Sequence, residues 1–254
     1  MQSLLILKPF NLAFFVLMVL GVFLIWLITK ILKNANDTPK KATYVAICIV
    51  TIVCYFLYKY ALSLDADFNI INAAYGGFNW WKELPLHLCN IHLLLMPVAV
   101  LTNKRPLLSF CFFVAPLGAL MALLMPGLGF SGYSILLPRM LGYHLTHLMV
   151  IVEAILIYTL DFYKPKYRDI PGSVLMLLAV SLVVFGINLL LRFTGLCASS
   201  NYFFLMDTEG NPVLEILYGL IPYPFLYALP CALVVIVYAL ILTAILQKTS
   251  SRKN

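Results

Sequence analysis

The chain has 254 residues, of which 63% are hydrophobic and only 11% charged, and its mean hydropathy is +0.98. A soluble domain carries roughly 25% charged residues to cover its core, so a cytosolic enzyme, a disordered segment and a coiled coil are all excluded. The net charge of +7 reads as basic cytoplasmic loops of a membrane protein, not as a nucleic-acid surface.

A transmembrane helix needs about 20 mostly apolar residues, and seven stretches meet that rule. In chain order they run from Leu12 to Ile28, Thr43 to Leu62, Leu84 to Leu101, Pro106 to Met125, Met140 to Leu160, Gly172 to Phe193 and Pro222 to Leu246. Between them lie NANDTPKK, LDADFN, TNKRP, MPGLGFSGY, DFYKPKYRD and the longer CASSNYFFLMDTEGNP, each supplying Pro, Gly, Asn or charge where a helix stops. The expectation is an all-α, seven-helix polytopic bundle, residues 1–254, forming one membrane domain. The first stretch is long enough to span, has no A-x-A site after it and leads into lysines, unlike a cleaved signal peptide. The six cysteines contain no CxxC pair and no secreted framework.

Orientation follows from Lys and Arg. Lys30, Lys33, Lys40, Lys41, Lys104, Arg105, Lys164, Lys166, Arg168, Lys248, Arg252 and Lys253 fall at one end of the spans. Lys8, Lys59, Lys82, Arg139 and Arg192 fall at the other, twelve against five. The expected placement is a multi-pass protein of the cell membrane with the N-terminus outside and the C-terminus cytoplasmic.

Polar side chains inside spans face protein, water or substrate, and all four histidines fall in two spans. His87 and His92 open the third, and His144 and His147 open the fifth. At about 1.5 Å per residue they lie, with Cys89, within about 12 Å of the same membrane face. Cys89 shares a helical face with His92, His87 shares one with Asn90, and His144 shares one with His147. A thiol on one helix and an imidazole on another at matching depth suit acyl transfer, because the imidazole can take the thiol proton. The pattern equally suits a packing cysteine with interhelical histidine hydrogen bonds, or a histidine-ligated metal or haem, although no H-E-x-x-H or H-x-x-E-H motif is present. Arg139 is placed either to hold a phosphate in bidentate fashion or to snorkel. Asn188 is placed either to donate to an oxyanion or to bridge helices. Glu153, deep in the fifth span, either pairs with Lys59 or stays protonated. A transporter would show more polar residues at the midplane and broken helices; Glu153, Pro97 and Pro116 are the features in that direction.

LPLHLCN at residues 84–90 resembles the signature of the YwaF family of integral membrane proteins. Arg139 with YHLTHL (143–148), Asn188, NYFFL (201–205) and PYPF before the last span follow in the same order. That family is similar to the animal transmembrane protein 164, a membrane acyltransferase that acts on ether phospholipids through a Cys and a His. The resemblance implies Cys89 as nucleophile, with His147 as base and His144 as the competing histidine. It also implies a lipid-contacting set of His87, Asn90, Arg139, Asn188, Asn201 and Tyr202, with membrane phospholipid as the partner and neither cofactor nor metal. Cys89 is then expected to face His147 or His144 across the third and fifth helices.

Overall fold

The computed structural model describes residues 5–251, and helices account for most of them. Helix α1 (Leu12–Leu32) starts where the Asn11 side chain accepts the Phe14 amide, capping one of the orphan N–H groups of its first turn. Helix α2 runs Asp37–Ser63, and the short α3, Ala66–Ile71, follows with Asp65 as its cap. Then come α4 (Leu88–Thr102), α5 (Arg105–Leu124), α6 (Pro138–Thr159) and α7 (Ile170–Phe193). The chain closes with the short α8 (Pro212–Leu220) and the long α9 (Cys231–Ser251). Strands β1 (Ile6–Leu7) and β2 (Tyr133–Ser134) form one small antiparallel pair, which ties the chain start to the α5–α6 loop. Among the described residues six helices are long and apolar enough to cross a bilayer, and α4 is a shorter seventh. The chain is a polytopic helical membrane protein, and its spans follow the apolar runs.

Helix α6 is the centre, packed against α1, α2, α4 and α5, while α7 leans on α5, and α9 on α7 and α5. The small residue Gly142 lets α2 approach α6. A Cβ there would lie 2.3 Å from Tyr58 Cγ. Close backbone approach over small residues is the usual way membrane helices pack without a hydrophobic driving force.

Two spans start later than the sequence suggests. The third begins at Leu88, not Leu84, because the chain makes a tight turn about Pro85, in which the Leu86 amide bonds the Leu84 carbonyl at 2.7 Å. The last begins at Cys231, not Pro222, because Pro222, Pro224 and Pro230 break the apolar run into turns and a single 3-10 turn at Leu226–Ala228. Glu153 does not meet Lys59. It is sealed inside the bundle, where its Oε1 accepts the Thr51 hydroxyl at 2.6 Å, and Lys59 pairs with Glu83 instead.

The shortness of α4 positions the site. Fifteen residues span about 22 Å, less than the roughly 30 Å of a hydrocarbon core. The stretch before Leu88 is a run of turns, in which the Lys82 and Glu83 amides bond the Asn79 carbonyl. Non-helical backbone within a membrane bundle survives only where it is buried in protein or lines a cavity, and Glu83, His87 and Leu88 line one. The basic residues of the opposite end gather as the sequence suggests, except that Arg252 and Lys253 lie outside the described residues.

Candidate functional site

A cavity of about 1010 Å³ lies at the end of the bundle where α4 and α6 begin, at the top of the roughly 300–1,000 Å³ range of ligand sites. Its polar part is formed by Lys59, Glu83, His87, Cys89, Asn90 and His147. An apolar extension continues between α5, α7 and α9, past Val114, Leu117, Met121, Leu177 and Val235. Met121, Leu229 and Val234 line the cavity and are partly exposed.

Cys89 is the second residue of α4, and its sulfur stands 3.2 Å from His147 Nε2 on α6. The first intrahelical bond of α4 is made by the Ile91 amide to the His87 carbonyl. The amides of Cys89 and Asn90, in the first turn of α4, thus have no carbonyl within the helix. His147 Nδ1 lies 2.7 Å from the Tyr143 carbonyl. A carbonyl only accepts, so that bond puts the proton on Nδ1 and leaves Nε2 as an acceptor facing the thiol. The Tyr143 ring packs on the imidazole at 4.3 Å between centroids, stacks on Phe130 and donates its hydroxyl to the Ala122 carbonyl. The histidine ring is thereby held from two sides.

The remaining residues singled out in the sequence divide into those at the cavity and those that support it. His87 caps α4 and faces the rings of Tyr202 and Phe204. Asn90 sits beside the thiol with its oxygen 3.7 Å from the sulfur and donates to the Tyr55 hydroxyl at 3.2 Å. His144 turns away: its Nδ1 meets the Met140 carbonyl at 2.8 Å, and its ring lies edge-on to Tyr143. His92 likewise bonds its own helix, at the Leu88 carbonyl, and packs on Phe110. The four imidazoles do not converge, and among the described residues no three of His, Cys, Asp or Glu are grouped to hold a metal ion.

Arg139, 2% exposed, sends Nη1 to both carboxylate oxygens of Asp65 at 2.8 and 2.6 Å and lies over the Tyr133 ring. It locks the start of α6 to the α2–α3 junction and does not line the cavity. Asn188 spends its whole amide on the loop after α7. It donates to the Tyr202 carbonyl and accepts from the Ser200 hydroxyl and the Tyr202 amide. Asn201 does the same one turn further, donating to the Asp207 carbonyl and Glu209 and accepting the Met206 and Asp207 amides. Tyr202 carries that order to the cavity wall, its hydroxyl donating to the Trp81 carbonyl at 2.6 Å and accepting the Leu84 amide. NYFFL therefore positions the run of turns that leads into Cys89.

Lys59 and Glu83 form a buried ion pair on the cavity wall, with Lys59 over the rings of Tyr58 and Tyr55. Burial pushes the Glu83 carboxyl up, but Lys59 more than offsets this, so it lies below its ordinary value of 4.5. Sequence reading missed this pair, together with Tyr55 and Tyr143. Tyr143 carried a signal, since it stands four residues before His147 on the same face.

A family model described as the TMEM164 family matches residues 6–243. Comparison with curated proteins and with solved structures gives no match. The matched region covers nearly the whole chain and includes every residue of the cavity, so this membrane protein belongs to the TMEM164 family.

Proposed function

We propose that the chain is a thiol-dependent lipid acyltransferase that moves a fatty acyl group between phospholipids through a thioester on Cys89, with His147 as base. The observation that carries this reading is the 3.2 Å approach of the Cys89 sulfur to a histidine nitrogen whose tautomer is fixed as acceptor, at the polar end of a largely apolar cavity. A lipid fits that shape, with its ester at the thiol and its acyl chain between α5, α7 and α9.

In the first half-reaction His147 Nε2 takes the thiol proton as Sγ attacks the ester carbonyl carbon. The amides of Cys89 and Asn90 at the start of α4 donate to the resulting oxyanion. The ester C–O bond breaks, the leaving lysolipid oxygen takes the proton from Nε2, and the acyl group stays on sulfur. In the second half-reaction a lysolipid hydroxyl gives its proton to Nε2 and attacks the thioester carbon, the C–S bond breaks, and the proton returns to the thiol. Water in place of the lysolipid would make the same site an acyl hydrolase. The Lys/Arg asymmetry supports an N-terminus outside, which assigns the site to the outer leaflet of the cell membrane.

The test is acyl exchange between a labelled phospholipid and a lysophospholipid by purified protein in lipid nanodiscs. Cys89→Ala and His147→Ala should each lose at least about 100-fold in rate, the lower bound for removing a nucleophile or its base. Cys89→Ser should remain nearly inactive, since a hydroxyl needs stronger base assistance. Full exchange by the folded Cys89→Ala protein would overturn the assignment.

A further inference from the structure

The segment between α7 and α9 holds an element that the chemistry at Cys89 does not use. None of the residues of α8 is buried, although six of the nine are large and apolar. At 100° per residue Val213, Ile216, Leu217 and Leu220 share one face, and Ile216 and Leu220 are 68% and 75% exposed. Glu215 points the other way and accepts the Thr208 hydroxyl, while the Asn211 side chain caps the first turn. Because α7 ends and α9 begins at the site end of the bundle, α8 lies at that membrane face. The exposed Trp80 and Trp81 sit at the same face, where tryptophan marks the headgroup level.

The same helix closes the cavity. Pro212, Val213 and Leu214 line it, and Asn211 reaches across to the Met125 sulfur on the facing loop at 3.6 Å. The two roots of the segment are strained. Phe204 has φ 54° and Phe225 φ 65°, values rare for a bulky side chain. Phe225 is the centre of a tight turn closed by the Leu226 amide on the Pro224 carbonyl at 2.8 Å, a turn form seldom tolerated outside glycine. The roots are also fastened to each other, by the Phe225 amide on the Leu205 carbonyl and by the Tyr227 hydroxyl on the Phe204 carbonyl. Phe204 and Phe225 both line the cavity. Strained backbone held in place by surrounding bonds is a common basis for bistable segments.

We infer that α8 is a lid seated in the lipid of the leaflet at the site end, and that it swings on Phe204 and Phe225 to admit a lipid sideways into the cavity. The apolar face is covered by acyl chains, and release of the strain at the two roots offsets part of the cost of leaving the closed position. The occupant of the cavity follows the function proposed above; the seat of α8 in the membrane does not depend on any reaction at Cys89.

The experiment has two arms, neither of which reads acyl transfer. In the first, Ile216→Trp is introduced with Trp26→Phe, Trp80→Phe and Trp81→Phe, and the protein is reconstituted in phosphatidylcholine vesicles. Lipid brominated at carbons 6 and 7 should quench the new tryptophan, and more strongly than lipid brominated at carbons 11 and 12. Water-like emission with no quenching by either lipid would overturn the seat, and so would protection from both by a second copy of the chain. In the second arm, Cys89 alkylation by N-hexadecylmaleimide is followed by peptide mass spectrometry in Phe225→Gly and Phe225→Ala. Both variants lose the ring, but only glycine accepts the positive φ without strain. The glycine variant should favour the closed lid and react several-fold more slowly than the alanine variant, with N-ethylmaleimide reacting equally in both. Equal rates with the long probe would overturn the hinge. Loss of acyl transfer without change in either arm would count against the proposed reaction alone.

Discussion

Replacing Arg139 with Met separates two roles for a buried arginine at the start of α6. In the structure its Nη1 donates to Asp65, which also caps α3 by accepting the Phe68 amide. Breaking a buried pair from one side costs about 3–5 kcal/mol, because the other charge is left without a partner. The Asp65 side chain keeps 17% exposure, so water recovers part of that cost and the lower end, about 3 kcal/mol, is the better figure. At roughly 2–4 °C per kcal/mol for a chain of this size, the melting temperature in detergent should fall by about 6–12 °C. Asp65→Asn should cost a similar amount. The double variant should cost clearly less than the sum, since each single change strands the other member of the pair and the double change strands neither. The assay is a thermal melt of the four proteins by intrinsic fluorescence, alongside the KM for phospholipid. An unchanged melting temperature with a raised KM for Arg139→Met would show that the residue holds a headgroup phosphate, and would refute the structural role.

Two other outcomes follow from the same geometry. Gly142→Ala places a Cβ within 2.6 Å of Tyr58 Cβ, Cγ and Cδ2. These atoms lie at the root of the ring, so no rotamer change clears them. Helices α2 and α6 must part by about 1 Å, and thermal melts should report a loss of about 1–3 kcal/mol. Glu83 ionises below its ordinary range in the fold, so its contribution is complete above that range and is lost as pH falls through and below it. Melts taken across acidic pH should show that decline in the parent protein and a weaker one in Glu83→Gln; identical profiles would remove the ion pair from the account.

The seven spans were legible because burial in lipid leaves a direct mark, a long run without charge. That Cys89 would face His147 or His144 was legible from depth and helical register, since α4 and α6 begin at the same face and each residue lies within the first three turns; the preference for His147 came from the family resemblance. The helix starts at Leu88 and Cys231 were not, because apolar composition is the same for a helix and for a run of turns packed against the bundle. The prolines at 85, 224 and 230 held the missing information. Arg139, Asn188, Asn201 and Tyr202 stood out in the sequence, and the structure uses them to fix the backbone around the site. For Arg139, Asn188 and Tyr202 the partners lie 12 to 121 residues away, and no local pattern encodes that choice; Asn201 bonds within its own loop, 5 to 8 residues on. The pairing of Lys59 with Glu83 was hidden for the same reason.

The central claim is that acyl groups pass through the Cys89 sulfur. Intact-protein mass spectrometry after brief incubation with phospholipid, without a lysolipid acceptor, tests it most directly. The account predicts a single added acyl mass, mapped to the Cys89 peptide, removed by neutral hydroxylamine and absent from Cys89→Ala. An acyl mass that persists in Cys89→Ala, or rapid exchange with no adduct under any quench, would contradict it.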